Sequence, residues 1–354
     1  MKVMNLSDRR IMPRDNGTYT LMLKDNKVCE INTGTGMVTM FAENLLPLDL
    51  YLEWDASQDA FNNLTVFQWW CANRILSLDR EYAKEILNSC GLKQAATDRD
   101  KAAIALKYRC LSLRDFYWVR KEEESCKWRD VSLFSNSLSN AVVDLALKGK
   151  NLTITNSQLV DSDLATDGVF PKAWLRDKGL FWLLKGDRND SVNKEVFASQ
   201  YLRKLGFDVL EYTKHEYKGD SVSVSKCFTS EEVGYVTAGN LAQNYDLDLR
   251  FRQYDMMLLC DFLVGNSDRH QDNWGYLFND RREIIGFAPI FDFNHAFEAP
   301  EGFFSLPDML FDRKRTMLDA AKEVVQKYDL HLVYLAESDK YAEFINKRIR
   351  ALNE

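Results

Sequence analysis

Three short apolar-rich runs, Tyr19 to Leu23, Lys27 to Ile31 and Met37 to Phe41, are separated by Asp25, Asn26 and the polar stretch Asn32 to Gly36. This pattern predicts a small antiparallel sheet. From Phe61 the period becomes helical, with Val66, Trp69, Trp70, Ile75 and Leu76 on one face. Asp79 to Ser89 continues the pattern as far as Gly91, and Asp98 to Tyr108 predicts a further helix. Ser137 to Lys148 is amphipathic and stops at Gly149, where we expect a domain boundary. Residues 1–149 thus predict an N-terminal α+β region, sheet first and helices after.

Beyond that point the pattern predicts strands at Leu152 to Ile154, Lys172 to Leu175 and Leu180 to Lys185, with a polar turn from Asp161 to Gly168. Ser191 to Leu205 is a helix with the stripe Val192, Val196, Leu202 and Leu205, capped by Asp190 or Ser191 and closed by Gly206. Val209 to Tyr217 and Ser221 to Phe228 form a hairpin around Lys218 to Asp220, completing a small antiparallel lobe over 150–230. Leu249 to Val264 is an apolar helix ending at Gly265. Trp274 to Phe278 and Ile284 to Phe291 are short strands, and Lys314 to Lys327 and Asp339 to Leu352 are amphipathic helices. Residues 231–354 therefore predict a helical lobe, and the fold class is α+β with two lobes behind the N-terminal region.

Composition narrows the choice of function. With 354 residues, 46% hydrophobic, and eight Trp, fifteen Tyr and twenty-one Phe, the chain has ample material for cores and is not disordered. The net charge of -7 argues against nucleic acid or an anionic membrane as direct partners. Phe116, Tyr117, Trp118 and Trp128 lie among Lys and Arg, as base-stacking aromatics do. Asp115, Glu122, Glu123, Glu124 and Asp130 cancel that charge, so core or interface packing is the better account. The seven cysteines have no zinc-ligand spacing and predict free thiols. No apolar run reaches the length of a membrane span and no basic-then-apolar leader opens the chain, so a cytoplasmic protein is expected.

Candidate chemistry centres on Asp261 to Phe297. Asp268 and Asn273 are separated by four residues, and Asp292 follows after the two short strands. Phosphoryl transfer needs a carboxylate at the attacking hydroxyl, with an amide oxygen and a second carboxylate to hold magnesium on nucleotide phosphates, and these residues fit in that order. A calcium loop also alternates polar residues, but Gln271 stands where its turn needs Gly and Leu277 where it needs Glu. A solvated helix-to-hairpin loop would be polar too. Upstream, Lys185 closes an apolar strand and Glu195 follows ten residues later in a helix. That is the order of a kinase phosphate-contacting lysine and the glutamate that holds it, and also of an unremarkable surface pair. The turn carrying Asp167 and Gly168 could cover phosphates or be a simple hairpin. Lys226 to Ser230, with Phe228, falls where a hinge would meet an adenine edge.

G-N-S-D-R-H-Q-D-N from Gly265 to Asn273, A-P-I-F-D-F from Ala288 to Phe293 and D-G-V-F-P-K-A from Asp167 to Ala173 together resemble the HipA-like kinase family. These are bacterial serine/threonine protein kinases known mainly as toxins of toxin–antitoxin pairs. The D-R-H-x-x-N loop is also similar to that of phosphoinositide kinases, whereas the P-K-A strand is HipA-like. The resemblance implies ATP and Mg2+ as cofactors, Asp268 as catalytic aspartate, Asn273 and Asp292 as magnesium ligands, and Lys185 as the ATP phosphate contact paired with Glu195. It places Gly168 to Lys172 over the phosphates, with Ser162 or Thr166 as counterparts of an autophosphorylated serine. It gives His270 a structural role, bonded to a backbone carbonyl. It further implies a protein substrate with a Ser or Thr acceptor and a small helix-turn-helix antitoxin as partner. Asn266 and Asn294 stand where eukaryotic kinases carry the loop histidine and the D-F-G glycine. A phosphotransferase acting on a small molecule or lipid, and a catalytically silent nucleotide-binding module, are the alternatives.

Overall fold

The computed structural model describes residues 16–55, 57–74, 98–107, 109–135, 172–247, 251–299, 302–305, 315–336 and 340–354. The helices expected at Asp79 to Ser89 and Ser137 to Lys148, the strand at Leu152 to Ile154 and the boundary at 149–150 lie outside them. The chain gathers into two compact units. One is drawn from Met1–Leu183, Thr229–Val236 and Phe278–Ile285, the other from Leu184–Phe228, Thr237–Leu277 and Gly286–Glu354.

In the first unit β1 (Thr18–Leu23), β2 (Asn26–Asn32), β3 (Val38–Met40) and β4 (Tyr117–Lys121) form a sheet in the order β3-β2-β1-β4. Leu21 pairs with Cys29 on one side and Val119 on the other, both antiparallel. The sequence did not mark β4 as a strand. Tyr117, Trp118 and Val119 are all buried, so no alternation of apolar and polar positions betrays it. The aromatics here are core, as expected: Phe116, just before β4, and Trp118 within it are fully enclosed, and the Trp118 indole donates to the Lys24 carbonyl at 2.7 Å. Helix α1 (Ala60–Ala72) is capped by Asp59, whose carboxylate accepts from the Phe61 and Asn62 amides, and packs on α2 (Asp98–Lys107). Just past α1, Arg74 forks onto Asp115 at 2.6 and 2.8 Å, fixing the approach to β4. A short α3 (Trp128–Val131) follows. The six described cysteines are free thiols.

The strands β5 (Lys172–Asp177), β6 (Leu180–Gly186), β7 (Tyr212–Tyr217) and β8 (Asp220–Lys226) form a sheet in the order β5-β6-β8-β7. Helix α4 (Ser191–Lys204) lies between β6 and β7 in sequence, and β7 and β8 pair antiparallel around Lys218 and Gly219. Asp190 does not cap α4, because its own backbone is left-handed. Asp187 accepts from the Val192 amide instead, at 3.1 Å. Gly206 closes the helix at φ +85, as expected.

A three-stranded sheet of order β11-β10-β9 contains β9 (Gly234–Thr237), β10 (Gly275–Phe278) and β11 (Ile284–Phe287), and α5 (Ala238–Leu241) follows β9. In the second unit α6 (Arg252–Val264) is buried continuously from Met256 to Val264, and α7 (Met317–Tyr328) and α8 (Lys340–Asn353) pack against it. Two expected strands end early. β7 begins at Tyr212 and β11 stops at Phe287, and the displaced ends meet: Val209 bridges Ile290 in parallel, and the Leu210 amide donates to the Ile290 carbonyl at 2.9 Å. The chain therefore reaches Asp292 already hydrogen-bonded to the approach of β7.

Candidate active site

Helix α6 ends in a left-handed reversal that favours glycine. Gly265 is left-handed at φ +61, its amide donates to the Phe262 carbonyl, and the Asn266 amide returns to the Asp261 carbonyl. A Cβ on Gly265 would stand 2.5 Å from the Phe344 ring. The loop that leaves this reversal carries Asp268 and Asn273.

Within the loop the organising residue is Arg269, buried under its neighbours. Its guanidinium forks onto Asp261 of α6 at 2.8 and 2.9 Å and donates to the carbonyls of Asn273 and Phe291, each at 2.7 Å. Burial works against the guanidinium charge, and Asp261 outweighs it, so the group stays protonated. Asn266 completes the clamp, donating to Asp261 Oδ1 at 3.0 Å. One side chain thus fixes the end of α6, the end of the loop and the residue before Asp292. Sequence reasoning assigned no role to Arg269 or Asp261. The available signal was a carboxylate inside the apolar run Met256 to Val264, which requires a buried cation.

The Asn273 amide nitrogen donates to the Asp268 carbonyl at 2.9 Å, which leaves the amide oxygen as the atom that can meet a cation. His270 is a loop member, as expected, but not through a carbonyl. It is exposed, and its Nδ1 accepts from the Asp272 amide at 3.2 Å. The Asp268 side chain is 54% exposed.

Lys185, on β6, is buried and donates to Glu195 of α4 at 2.6 Å and to Asp292 at 2.9 Å. Glu195 is itself 1% exposed and also accepts from Ser223 of β8 at 2.7 Å. Burial alone would pull the Lys185 ammonium down. The carboxylates of Asp292 and Glu195 reverse this and hold it well above the ordinary lysine value. The Tyr212 ring lies beneath the ammonium at 5.0 Å, and burial followed by the Glu195 charge pushes its phenol up. Asp292 sits in the left-handed region at φ +67, a conformation that a non-glycine residue keeps only when its surroundings enforce it. The surface-pair alternative for Lys185 and Glu195 is thereby excluded.

Of the remaining sequence-predicted residues, Lys226 is exposed at the end of β8, and the Phe228 ring lies 5.7 Å from that of Phe291. Lys172 is buried on β5, which belongs to the first unit. Gly168, Ser162 and Thr166 lie outside the described residues.

The donor set suits magnesium held jointly with phosphates, since Asn273 offers an amide oxygen and Asp292 is a carboxylate. Among the described residues no three His, Cys, Asp or Glu side chains gather that could hold a metal by themselves.

No protein-family model matches this chain, and no curated protein does. Among solved structures it is similar to HipA of a Shewanella oneidensis MR-1 toxin–antitoxin system, solved with HipB and operator DNA. The identity is 12% and the TM-score 0.55, over 94% of this chain and 95% of that one. The fold is HipA-like. The Helicobacter pylori proinflammatory kinase CtkA aligns at 16% identity and TM-score 0.38, over 52% of this chain and 88% of its own. The alignment with HipA thus covers nearly the whole chain. Among the described residues no helix is long and apolar enough to cross a membrane.

Proposed function

We propose that this chain is an ATP- and Mg2+-dependent protein kinase that phosphorylates serine or threonine hydroxyls. It would act in the cytoplasm, with a small helix-turn-helix antitoxin as its regulatory partner. The buried Lys185 ammonium held between Glu195 and Asp292 carries the proposal. Such a cation is fixed, desolvated and permanently charged, as a group that draws off charge from a transferring phosphoryl must be.

Asp268 orients the acceptor hydroxyl and takes its proton as the oxygen attacks the γ-phosphorus. Lys185 contacts the phosphate oxygens and stabilises the charge that builds there. Magnesium, when bound, would be held by Asn273 and Asp292 and would neutralise charge between the β- and γ-phosphates. Arg269 keeps the loop and Asp292 in register. Gly168 to Lys172 would cover the phosphates, Lys226 and Phe228 would flank the adenine, and Ser162 or Thr166 would accept an autophosphorylation.

Radiolabel transfer from ATP with magnesium, with the protein alone and with a cell lysate, tests this. Wild type should place phosphate on serine or threonine of protein, and Asp268→Ala and Asp292→Ala should each lose about a hundredfold or more. Label appearing only on small molecules would replace the protein substrate with a metabolite or lipid. ATP binding with no transfer to any acceptor would make the site a silent nucleotide-binding module.

A further inference from the structure

The histidine that faces Asp268 is not the one in the D-R-H motif. His295 follows Asp292 by three residues, and its Nε2 lies 3.9 Å from Asp268 Oδ2, beyond a direct hydrogen bond but within charge–charge range. Among the described residues no hydrogen bond holds the Asp268 carboxylate, so His295 is the charged or polar group that addresses it. On its other side, His295 Nδ1 lies 2.7 Å from Glu298 Oε2. A carboxylate offers only acceptors, so Nδ1 carries a hydrogen toward Glu298, and the ring attracts Asp268 when Nε2, turned to it, carries one as well. Glu298 in turn accepts from Lys194 of α4. Burial pushes the Glu298 carboxyl up, and the bonds from Lys194 and His295 more than reverse this, keeping it an anion that anchors the ring.

Lys194 and Glu195 are consecutive on α4. Glu195 holds Lys185 and through it Asp292, while Lys194 holds Glu298 and through it His295. We propose that His295 is a positioning residue for Asp268, and that α4 sets both ends of the site at once through these two adjacent side chains. The kinetic consequence rests on Asp268 acting as the acceptor-hydroxyl base; the placement of one side chain by the other does not. A displacement of α4 would then release the phosphate-contacting lysine and misorient the base in one movement.

The chain has only four histidines, so ring-nitrogen NMR of the full protein resolves each of them. His295→Gln identifies the His295 signals. At fixed pH, Asp268→Asn should shift the His295 Nε2 resonance and Lys194→Met its Nδ1 resonance, with the His215 and His331 signals unmoved. His295 signals indifferent to both variants would overturn the proposal, whether or not the protein transfers phosphate. In the transfer assay, His295→Ala should lower kcat by about tenfold to a hundredfold at unchanged KM for ATP. His295→Gln, whose amide can reach the Nε2 position, should recover most of that loss, and Lys194→Met should add nothing to His295→Ala. An unchanged kcat in His295→Ala, or full additivity with Lys194→Met, would also overturn it. Coupled NMR shifts in a protein that transfers no phosphate would sink the kinase proposal and leave the positioning intact.

Discussion

At the scale of single residues, Lys185 is the test of whether the site is built for charge. Its partners Glu195 and Asp292 are themselves largely enclosed, so removing the ammonium leaves the Glu195 carboxylate buried with Ser223 alone, among the described residues, to satisfy it. Breaking a buried pair from one side typically costs about 3–5 kcal/mol, whereas replacing both partners with apolar groups is often close to neutral. Lys185→Met should therefore destabilise by that order, and Lys185→Met with Glu195→Leu should recover much of it. The sign of the pH dependence follows from the raised lysine value. Its contribution is fully present below the unfolded lysine value near ~10.4 and is lost only as pH rises through the still higher folded value. Denaturant midpoints of wild type and Lys185→Met should thus keep a constant separation from about pH 7 to about pH 9. A gap that narrows over that window would mean the ammonium is not held as the geometry requires.

At the scale of elements, the end of α6 decides where Asp268 points. Gly265→Ala would place a side chain at φ +61, which costs roughly 1–2 kcal/mol, and set its Cβ 2.5 Å from the Phe344 ring and 2.9 Å from Arg348. A loss of at least about 2 kcal/mol with an unchanged denaturant slope is expected, with lowered transfer because the loop leaves the helix in another direction. A change under about 0.5 kcal/mol would show that the reversal is set by something else. This end was legible beforehand, since a long apolar helix stopping at a glycine before a polar loop is a local pattern. So were Asp268, Asn273 and Asp292, whose spacing is carried by one loop and one hairpin. Arg269 was not, because Asp261 and Phe291 lie on other elements that only folding brings to it, and a carboxylate inside an apolar helix does not say which cation answers it. His295 was missed for a similar reason, as its geometry needs Lys194, distant in sequence. β4 was hidden because burial on both faces removes the alternation that announces a strand.

At the scale of the whole molecule, the chain passes repeatedly between its two units, and the first unit includes two short excursions, Thr229–Val236 and Phe278–Ile285. Both are sealed by residues far upstream. The Tyr235 amide donates to the Arg114 carbonyl at 2.7 Å, Ser132 Oγ donates to Glu231 at 2.9 Å, and Phe278 meets Phe116 edge-on at 5.5 Å. Lys24 also pairs with Asp280 at 2.7 Å. A fragment of residues 150–354 would keep every candidate catalytic side chain and yet strip these excursions of their partners. It would expose Tyr235 and Phe278, which are now buried. Exposed rings and unsatisfied strand edges favour association over folding. The fragment is therefore expected to aggregate or to unfold well below the temperature of the full chain, and to show no shift in unfolding temperature with ATP and magnesium. Ligand that binds only the folded state at about a hundred times its Kd stabilises the full chain by about 2.7 kcal/mol, a shift easily read by calorimetry. A soluble fragment with the same ligand-induced shift would show that the upstream residues serve something other than the integrity of the half that carries the candidate site.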